Sequence, residues 1–275
     1  MKQAAFIGAG NMGGALIQAA CRAVGPEQVV LFDRDSGRAS ALAEQLGCTA
    51  AVDSAAAVQS SRFLFLCVKP QVLAEVLAEL CPVLDRCHRA GEEKVLVSIA
   101  AGVRLETLRS WLSGLEWEVP LLRVMPNTCA AIGQGMLALT ASPDTPETYW
   151  AGVEAILSRS GRVERIEERL MDQFTAVAGC GPAYIYQLIE ALADGGVLVG
   201  LPRRQAQLYA AQTVLGAAAM VLESGQHPGA LKDAVCSPGG STIAGVAALE
   251  QGGLRSAVIQ AVEAAYHKNI ALGNS

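Results

Sequence analysis

Residues 6–13 read Phe6-Ile7-Gly8-Ala9-Gly10-Asn11-Met12-Gly13, and this stretch decides how the first half of the chain folds. It places the pattern G-x-G-x-x-G between an apolar segment and a predicted helix, Asn11–Val24. A second apolar segment, Val29–Phe32, ends at Asp33, which stands 20 positions after the third glycine. This order of strand, glycine turn, helix and acidic residue predicts a βαβ unit that binds a dinucleotide.

Each glycine of the turn has a separate physical task. Gly8 permits the tight turn, Gly10 lets backbone N–H groups approach a pyrophosphate, and Gly13 lets the helix pack closely on the strand. The helix N-terminus adds partial positive charge. The alternative is an ordinary glycine-rich turn. The cofactor contacts predicted within the turn are Gly8, Ala9, Gly10, Asn11, Met12 and Gly13.

Apolar strands alternate with helical segments up to about residue 160, which predicts an α/β fold with a Rossmann-type, doubly wound, mainly parallel sheet. The predicted strands are Ala4–Ile7, Val29–Phe32, Phe63–Val68, Val95–Ile99, Leu121–Val124 and Met136–Leu139, and the predicted helices are Asn11–Val24, Gly37–Leu46 and Gln71–Leu80. Ligands bind at the carboxyl ends of such strands. Further predicted cofactor contacts, most of them at these ends, are Asp53, Val68, Lys69, Pro70, Ala100 and Asn127.

Strand signals stop after about Glu164, and alanine- and leucine-rich helical segments follow. We therefore predict a dinucleotide-binding domain over 1–162 and an all-helical substrate-binding and dimerisation domain over 163–275. The segment Pro202–Leu222 is apolar on more than one face. A lone helical domain would struggle to cover that surface, which predicts burial against a second subunit in a homodimer.

Asp33 and its neighbour Arg34 predict opposite cofactor preferences. A carboxylate at this position accepts hydrogen bonds from ribose hydroxyls and repels a 2′-phosphate, which favours NADH. A guanidinium favours NADPH. Both residues are predicted cofactor contacts, and the sequence leaves the choice between NADPH and NADH open.

A second glycine-rich turn, Cys236-Ser237-Pro238-Gly239-Gly240-Ser241-Thr242, precedes a predicted helix, Ile243–Leu249. Its hydroxyls, its backbone N–H groups and the helix N-terminus suit a carboxylate or phosphate. The predicted substrate contacts are Ser237, Gly239, Gly240, Ser241 and Thr242. The alternative is that Ser241 or Thr242 only caps the helix.

Strong proton donors are scarce in the chain. Between Val95 and Leu231 there is no lysine, and His227 is the only histidine. Carbonyl reductases commonly use Lys, His or Tyr as the acid. Glu190 and Asp194 share a helix face, where we expect a structural or solvated pair. An imine nitrogen is basic enough to enter already protonated, so Thr242 or a bound water would suffice.

Composition excludes several classes of function. The net charge of −5 over 275 residues argues against nucleic acid and against anionic membranes. The eight cysteines are scattered without a C-x-x-C pair, which predicts reduced thiols in a cytoplasmic protein and no metal site. The apolar run near the N-terminus breaks at Gly8 and has no signal-peptide cleavage pattern.

The chain resembles the pyrroline-5-carboxylate reductase family over nearly its whole length. The most specific match is His227–Val235 running into Cys236–Gly245, and further matches are Gly181-Pro182-Ala183-Tyr184, Ala191–Gly196, Val68-Lys69-Pro70 and Met125-Pro126-Asn127-Thr128. The resemblance implies reduction of L-1-pyrroline-5-carboxylate to L-proline by NADPH or NADH.

The resemblance also implies site roles and an assembly. By this resemblance, the Ser237–Thr242 loop holds the substrate carboxylate, and Thr242, the predicted catalytic residue, lies near the ring nitrogen. It implies an intertwined helical homodimer whose active site uses both subunits, with dimers often assembled into a decamer. Asp33 is less usual there than Asn or Ser, so the frequent NADPH preference of the family does not transfer directly.

Two other functions compete with this one. A hydroxyacid dehydrogenase of related two-domain architecture would place a lysine on the helix after the glycine turn of its second domain, and Tyr184-Ile185-Tyr186-Gln187 has none. A non-catalytic dinucleotide sensor would not need an intact substrate loop.

Overall fold

The computed structural model describes residues 1–273. Its strands are β1 (Lys2–Ile7), β2 (Val29–Phe32), β3 (Thr49–Ala50), β4 (Ser61–Leu66), β5 (Val95–Ser98), β6 (Leu121–Met125), β7 (Gly135–Ala141) and β8 (Gly161–Arg165). Its helices are α1 (Asn11–Val24), α2 (Ser36–Leu46), α3 (Ser54–Ser60), α4 (Pro70–Arg89), α5 (Leu105–Trp111), α6 (Glu147–Leu157), α7 (Met171–Phe174), α8 (Gly181–Leu198), α9 (Arg203–Ser224), α10 (Pro228–Ala234), α11 (Ser241–Gln251) and α12 (Leu254–Gly273).

The strands form one sheet in the order β3-β2-β1-β4-β5-β6-β7-β8. All neighbouring pairs are parallel except β6 and β7. The first six strands in this row follow the order of a dinucleotide-binding fold, in which the order of the strands along the sheet reverses between β1 and β4. The predicted Rossmann-type, mainly parallel sheet is confirmed.

Both faces of the sheet are buried, as the continuous apolar strands predict. Along β1, Ala4 and Phe6 pack into one apolar cluster, whereas Ala5 and Ile7 pack into the other. Successive side chains of a strand point to opposite faces, so a strand that is buried on both faces needs apolar residues throughout. Phe6 stacks on Phe65 of β4 with ring centroids 4.6 Å apart, which fixes the two central strands to each other.

Glycines stop the first two helices where the sequence predicts. After α1, Gly25 has φ +92° and is followed by Pro26. After α2, Gly47 is left-handed and its N–H bonds the carbonyl of Ala43. Both ends bring the chain back to the edge of the sheet at which the next strand begins.

The described chain divides into two compact units, Met1–Gly179 with residues 265–273, and Cys180–Ala264. This division falls later than the boundary predicted between 162 and 163. The reason is that β8 crosses 162 and pairs with β7. Beyond it, the carboxylate of Glu168 accepts a hydrogen bond from the backbone N–H of Leu105 at 2.7 Å and pairs with buried Arg123 at 3.3 Å.

The second unit is helical and has a small core of its own. Ala193 on α8 packs with Ala206 and Ala210 on α9, where small side chains let the two helices approach closely. Helices α10, α11 and α12 have no buried residue within the described part of the chain. None of the helices described over residues 1–273 has the length and apolar character needed to span a bilayer.

Candidate active site

The glycine turn after β1 has a backbone that only glycine adopts easily. Gly8 has φ +107°, and a Cβ there would lie 2.6 Å from the carbonyl oxygen of Cys67 at the end of β4. A Cβ at Gly13 would strike the carbonyl oxygen of Gly8. The two glycines therefore hold the turn against the neighbouring strand and the first turn of α1 against the loop.

Gly10 differs from these two because nothing crowds it. A Cβ at Gly10 would meet no atom of the described chain within 4 Å, and its φ of −66° suits any residue. Gly10 is the N-cap of α1, and no side chain of residues 1–273 bonds the first-turn N–H groups. Open space in front of uncapped helix N–H groups fits the pyrophosphate of a dinucleotide.

A cavity of about 220 Å³ opens in front of this turn. Six of the predicted contacts line it: Gly8, Gly10, Asp33, Arg34, Val68 and Lys69. The remaining residues of the turn lie in the loop or in the first turn of α1, and Pro70 begins α4. The strand ends of β1, β2 and β4 thus meet at one edge of the sheet, as the parallel order requires.

Asp33 turns its carboxylate into the protein. One oxygen accepts a hydrogen bond from the backbone N–H of Ala9 at 2.7 Å, and the other accepts from the N–H of Asp35 at 2.9 Å. Arg38 lies 3.6 Å from the first oxygen. The side chain is only 12% exposed, and these contacts brace the glycine turn. Its contact with a ribose stays a prediction, since Asp33 also lines the cavity.

Arg34 is tied to helix α4. Its guanidinium pairs with Glu75 at 3.0 Å and with Glu79 at 3.3 Å. The hydrogen bond to Glu75, and then the charges of the two carboxylates, raise the pKa of Arg34. The residue that predicted NADPH therefore already has two anionic partners.

Three residues that were predicted to contact the cofactor are engaged in contacts within the protein. Asp53 caps α3 by accepting an N–H of its first turn at 2.6 Å. Ala100 is buried. The Asn127 amide donates to the carbonyl of Ala178 at 2.9 Å, and its oxygen accepts from the N–H of Met136 at 3.4 Å. The wall of the glycine-turn cavity includes none of the three, and their contact with a cofactor stays a prediction.

Other residues of the cavity wall were not predicted. They are Ile7, Phe32, Arg38, Ser54, Cys67, Val72, Val76 and Glu79. Val72, Val76 and Glu79 share one face of α4 at helical spacing, which was the signal that could have indicated them. Burial raises the pKa of the Cys67 thiol, so this thiol stays neutral and serves as an apolar wall.

The second glycine turn lies in the other compact unit, before α11. Gly239 has φ +67°, and Gly240 donates its N–H to the carbonyl of Ser237 at 3.0 Å. Gly240 is also the N-cap of α11, and no side chain of the described residues bonds the first-turn N–H groups. The alternative in which Ser241 or Thr242 is the N-cap is therefore wrong. Both residues are exposed at the uncapped helix end.

Two of the titratable side chains considered as proton donors have structural partners. His227 is the N-cap of α10, and its Nδ1 accepts a hydrogen bond from the N–H of Gly229 at 3.0 Å. Asp194 forms an ion pair with Arg203, the structural role expected of it. No group of three metal-ligating side chains occurs among residues 1–273.

A larger cavity, of about 1120 Å³, lies beside β7 and β8. Two arginines of its wall already have acidic partners: Arg165 pairs with Glu147 at 2.6 Å, and Arg169 pairs with Glu167 at 2.6 Å. No residue of the glycine turn after β1 lines this larger cavity. Size alone therefore does not locate the site.

Comparison with known proteins gives matches over the whole chain. Residues 168–272 match the family model described as pyrroline-5-carboxylate reductase dimerisation, and residues 3–102 match the model described as NADP oxidoreductase, coenzyme F420-dependent. A pyrroline-5-carboxylate reductase of Synechocystis is 42% identical over 273 residues, 98% of each chain. That of Escherichia coli is 40% identical over 276 residues, 100% of this chain and 99% of its own. A Plasmodium falciparum pyrroline carboxylate reductase with NADP bound has a TM-score of 0.86 at 30% identity, covering 99% of this chain and 98% of that one.

Proposed function

The chain belongs to the pyrroline-5-carboxylate reductase family, and we propose that it reduces L-1-pyrroline-5-carboxylate to L-proline with NADPH or NADH. The observation that carries this proposal is similarity to such reductases through both compact units, not through the dinucleotide fold alone. A Rossmann-type fold by itself hosts many reactions, so the helical unit gives the match its specificity.

The dinucleotide site is formed by the first unit. Gly8 and Gly13 hold the turn, Gly10 leaves the approach to the N–H groups of α1 open, and Asp33 fixes the N–H of Ala9. Val68 and Lys69 line the same cavity at the end of β4. When bound, NAD(P)H supplies a hydride to the imine carbon, and the C=N electron pair passes to the protonated nitrogen.

The second glycine turn binds the substrate. The N–H groups of Ser241 and Thr242 at the uncapped end of α11, with the hydroxyl of Ser237, suit the carboxylate of pyrroline-5-carboxylate. The hydroxyl of Thr242 is the group assigned to the ring nitrogen. Because that nitrogen enters protonated, Thr242 has to orient the cation and need not deliver a strong acid's proton.

The test of this function is turnover. Purified protein is mixed with pyrroline-5-carboxylate and either NADPH or NADH, absorbance loss of the dinucleotide is followed, and proline is quantified. We expect one proline per dinucleotide oxidised. Oxidation of the dinucleotide in the presence of a 2-keto acid, but not in the presence of the imine, would favour a hydroxyacid dehydrogenase. Dinucleotide binding without turnover on either substrate would favour a sensor.

We further propose a cytoplasmic homodimer that forms through the helical unit, with dimers assembled into a decamer. Large apolar side chains of this unit are exposed in the single chain, among them Leu198, Val199, Leu208, Leu215, Leu222 and Ile259. Surface of that kind is typical of a subunit interface. Light scattering coupled to size exclusion would give the mass; a monomer at micromolar concentration would contradict the dimer.

A further inference from the structure

We propose that Glu75 and Glu79 weaken recognition of the 2′-phosphate of NADPH by holding Arg34, and that these two acids thereby set how far the protein prefers NADPH to NADH. The inference rests on the proposed use of a nicotinamide dinucleotide. Both acids lie on α4, four residues apart, so they share one helix face.

Two of the three charges line the cavity of the glycine turn. Arg34 and Glu79 line this cavity together with Gly8, Gly10 and Asp33. Residues at the end of the second strand of such a fold meet the adenosine ribose, and an arginine there accommodates a 2′-phosphate. A 2′-phosphate that binds Arg34 must therefore compete with the two carboxylates that already hold it.

The two neighbours of Arg34 in the cavity wall, Asp33 and Arg38, do not relieve this competition. Asp33 adds a third negative charge, although its oxygens bond the N–H groups of Ala9 and Asp35. Arg38 lies near Asp33 at 3.6 Å and Asp35 at 3.3 Å. Both arginines of the wall thus have carboxylate partners in the structure.

The expected change in NADP⁺ affinity follows from the solvent exposure of the three charged side chains. The side chains of Arg34, Glu75 and Glu79 are 58%, 60% and 50% exposed. An exposed ion pair changes an equilibrium by a factor of about 1.4 to 5. Removing both acids while keeping Arg34 removes two such pairs and is therefore expected to tighten NADP⁺ binding about 2- to 25-fold, with NAD⁺ binding changed less than about 2-fold.

The experiment measures binding and not turnover. Dissociation constants of NADP⁺ and NAD⁺ are obtained by calorimetry for the full chain, the double variant E75Q/E79Q, the variant R34Q, and the triple variant. The matched control is E106Q/E116Q, which removes two charges from walls of other cavities that do not include the glycine turn. Glutamine keeps the size of glutamate, and circular dichroism reports whether each variant is folded.

Each outcome decides the proposal. A gain for NADP⁺ in E75Q/E79Q, absent from the control and reduced by at least half on a logarithmic scale in the R34Q background, supports it. An unchanged or weaker NADP⁺ affinity in the folded double variant overturns it. An equal gain without Arg34 also overturns it, because the acids then act directly on the phosphate. If the unchanged chain binds neither dinucleotide, the proposed function itself fails, and the two failures are thus distinguishable.

Discussion

Replacing Gly10 with alanine should weaken dinucleotide binding by one to two orders of magnitude and leave the folded protein almost unchanged. The position is open in the structure, since an added Cβ meets no described atom within 4 Å. Its φ of −66° and ψ of −174° are also accessible to alanine. The reason for glycine at this position is therefore the approach of a ligand and not the packing of the chain.

The expected magnitudes for Gly10→Ala differ between stability and binding. Alanine at an N-cap costs up to about 1 kcal/mol, and the stiffer unfolded chain offsets about 0.4–1 kcal/mol. The net change is below about 1 kcal/mol, a Tm shift of at most about 2–4 °C. Loss of one hydrogen bond to the charged pyrophosphate costs about 1.5–3 kcal/mol. Binding should weaken roughly 10- to 150-fold.

The assay combines thermal unfolding without ligand and calorimetry with NADP⁺ and NAD⁺. Gly114→Ala is the control, because Gly114 also has open space around it and no positive φ, and the described cavity of the glycine turn does not include it. Should Gly10→Ala bind dinucleotide as tightly as the control does, the pyrophosphate does not pass over this turn. A Tm loss of more than 10 °C would show instead that Gly10 is required for folding.

Three further changes test separate parts of the account. Asp33→Asn keeps one acceptor oxygen for the two N–H groups that Asp33 bonds, so binding of both dinucleotides should weaken by a similar factor, roughly 10-fold. Tighter binding of NADP⁺ alone in calorimetry would show instead that Asp33 faces the ribose. Thr242→Ala should lower kcat in steady-state kinetics about 10-fold or more while leaving the Kd of NADP⁺ unchanged. An unchanged kcat together with a weaker Kd for NADP⁺ would show that Thr242 does not belong to the substrate site. The Tyr149 hydroxyl, and after it Arg62, hold the pKa of Glu93 below its ordinary value, so this contribution exists above about pH 4.5 and is lost as pH falls through the lowered pKa. Tyr149→Phe should therefore cost less than about 1 kcal/mol in urea unfolding at pH 7 and less again at pH 3, and a pH-independent cost would contradict the linkage.

The sequence was most informative where one short pattern controls the backbone. The bounds of α1 and β2 match the predicted Asn11–Val24 and Val29–Phe32, because glycine and proline stop the helix and a continuous apolar run marks the buried strand. The helix predicted over Gln71–Leu80 was too short. Pro82 lies inside α4, and the helix continues beyond it because Val83, Leu84 and Cys87 are buried. Burial of such side chains outweighs a proline penalty of about 3 kcal/mol.

Elements that depend on tertiary pairing escaped prediction. Strand β8 has an exposed and charged sequence, Gly161–Arg165, and exists because β7 offers an open edge. The same pairing moves the division between the compact units past residue 162. Short β3 and α3 gave no periodic signal, since two and seven residues are too few for one.

In the candidate site, too, the sequence predicted the local backbone but not the contacts between distant residues. Glycine spacing located the turn and the cavity in front of it, because those glycines act through their own backbone. The hydrogen-bond partners of Asp33 and Asn127 are distant in sequence, so no pattern could indicate that their side chains bond Ala9 and Ala178. Glu79 enters the cavity wall only through the packing of α4 beside β4.

The most direct test of the central claim is isotope transfer from the dinucleotide to the product. Pyrroline-5-carboxylate is turned over with NADPH and with NADH that carry deuterium at both C4 positions of the nicotinamide, and the proline is analysed by mass spectrometry and NMR. We expect one deuterium per proline, on the ring carbon next to nitrogen that was the imine carbon. Proline without deuterium, or no proline from folded protein that binds the dinucleotide, would contradict hydride transfer to this imine.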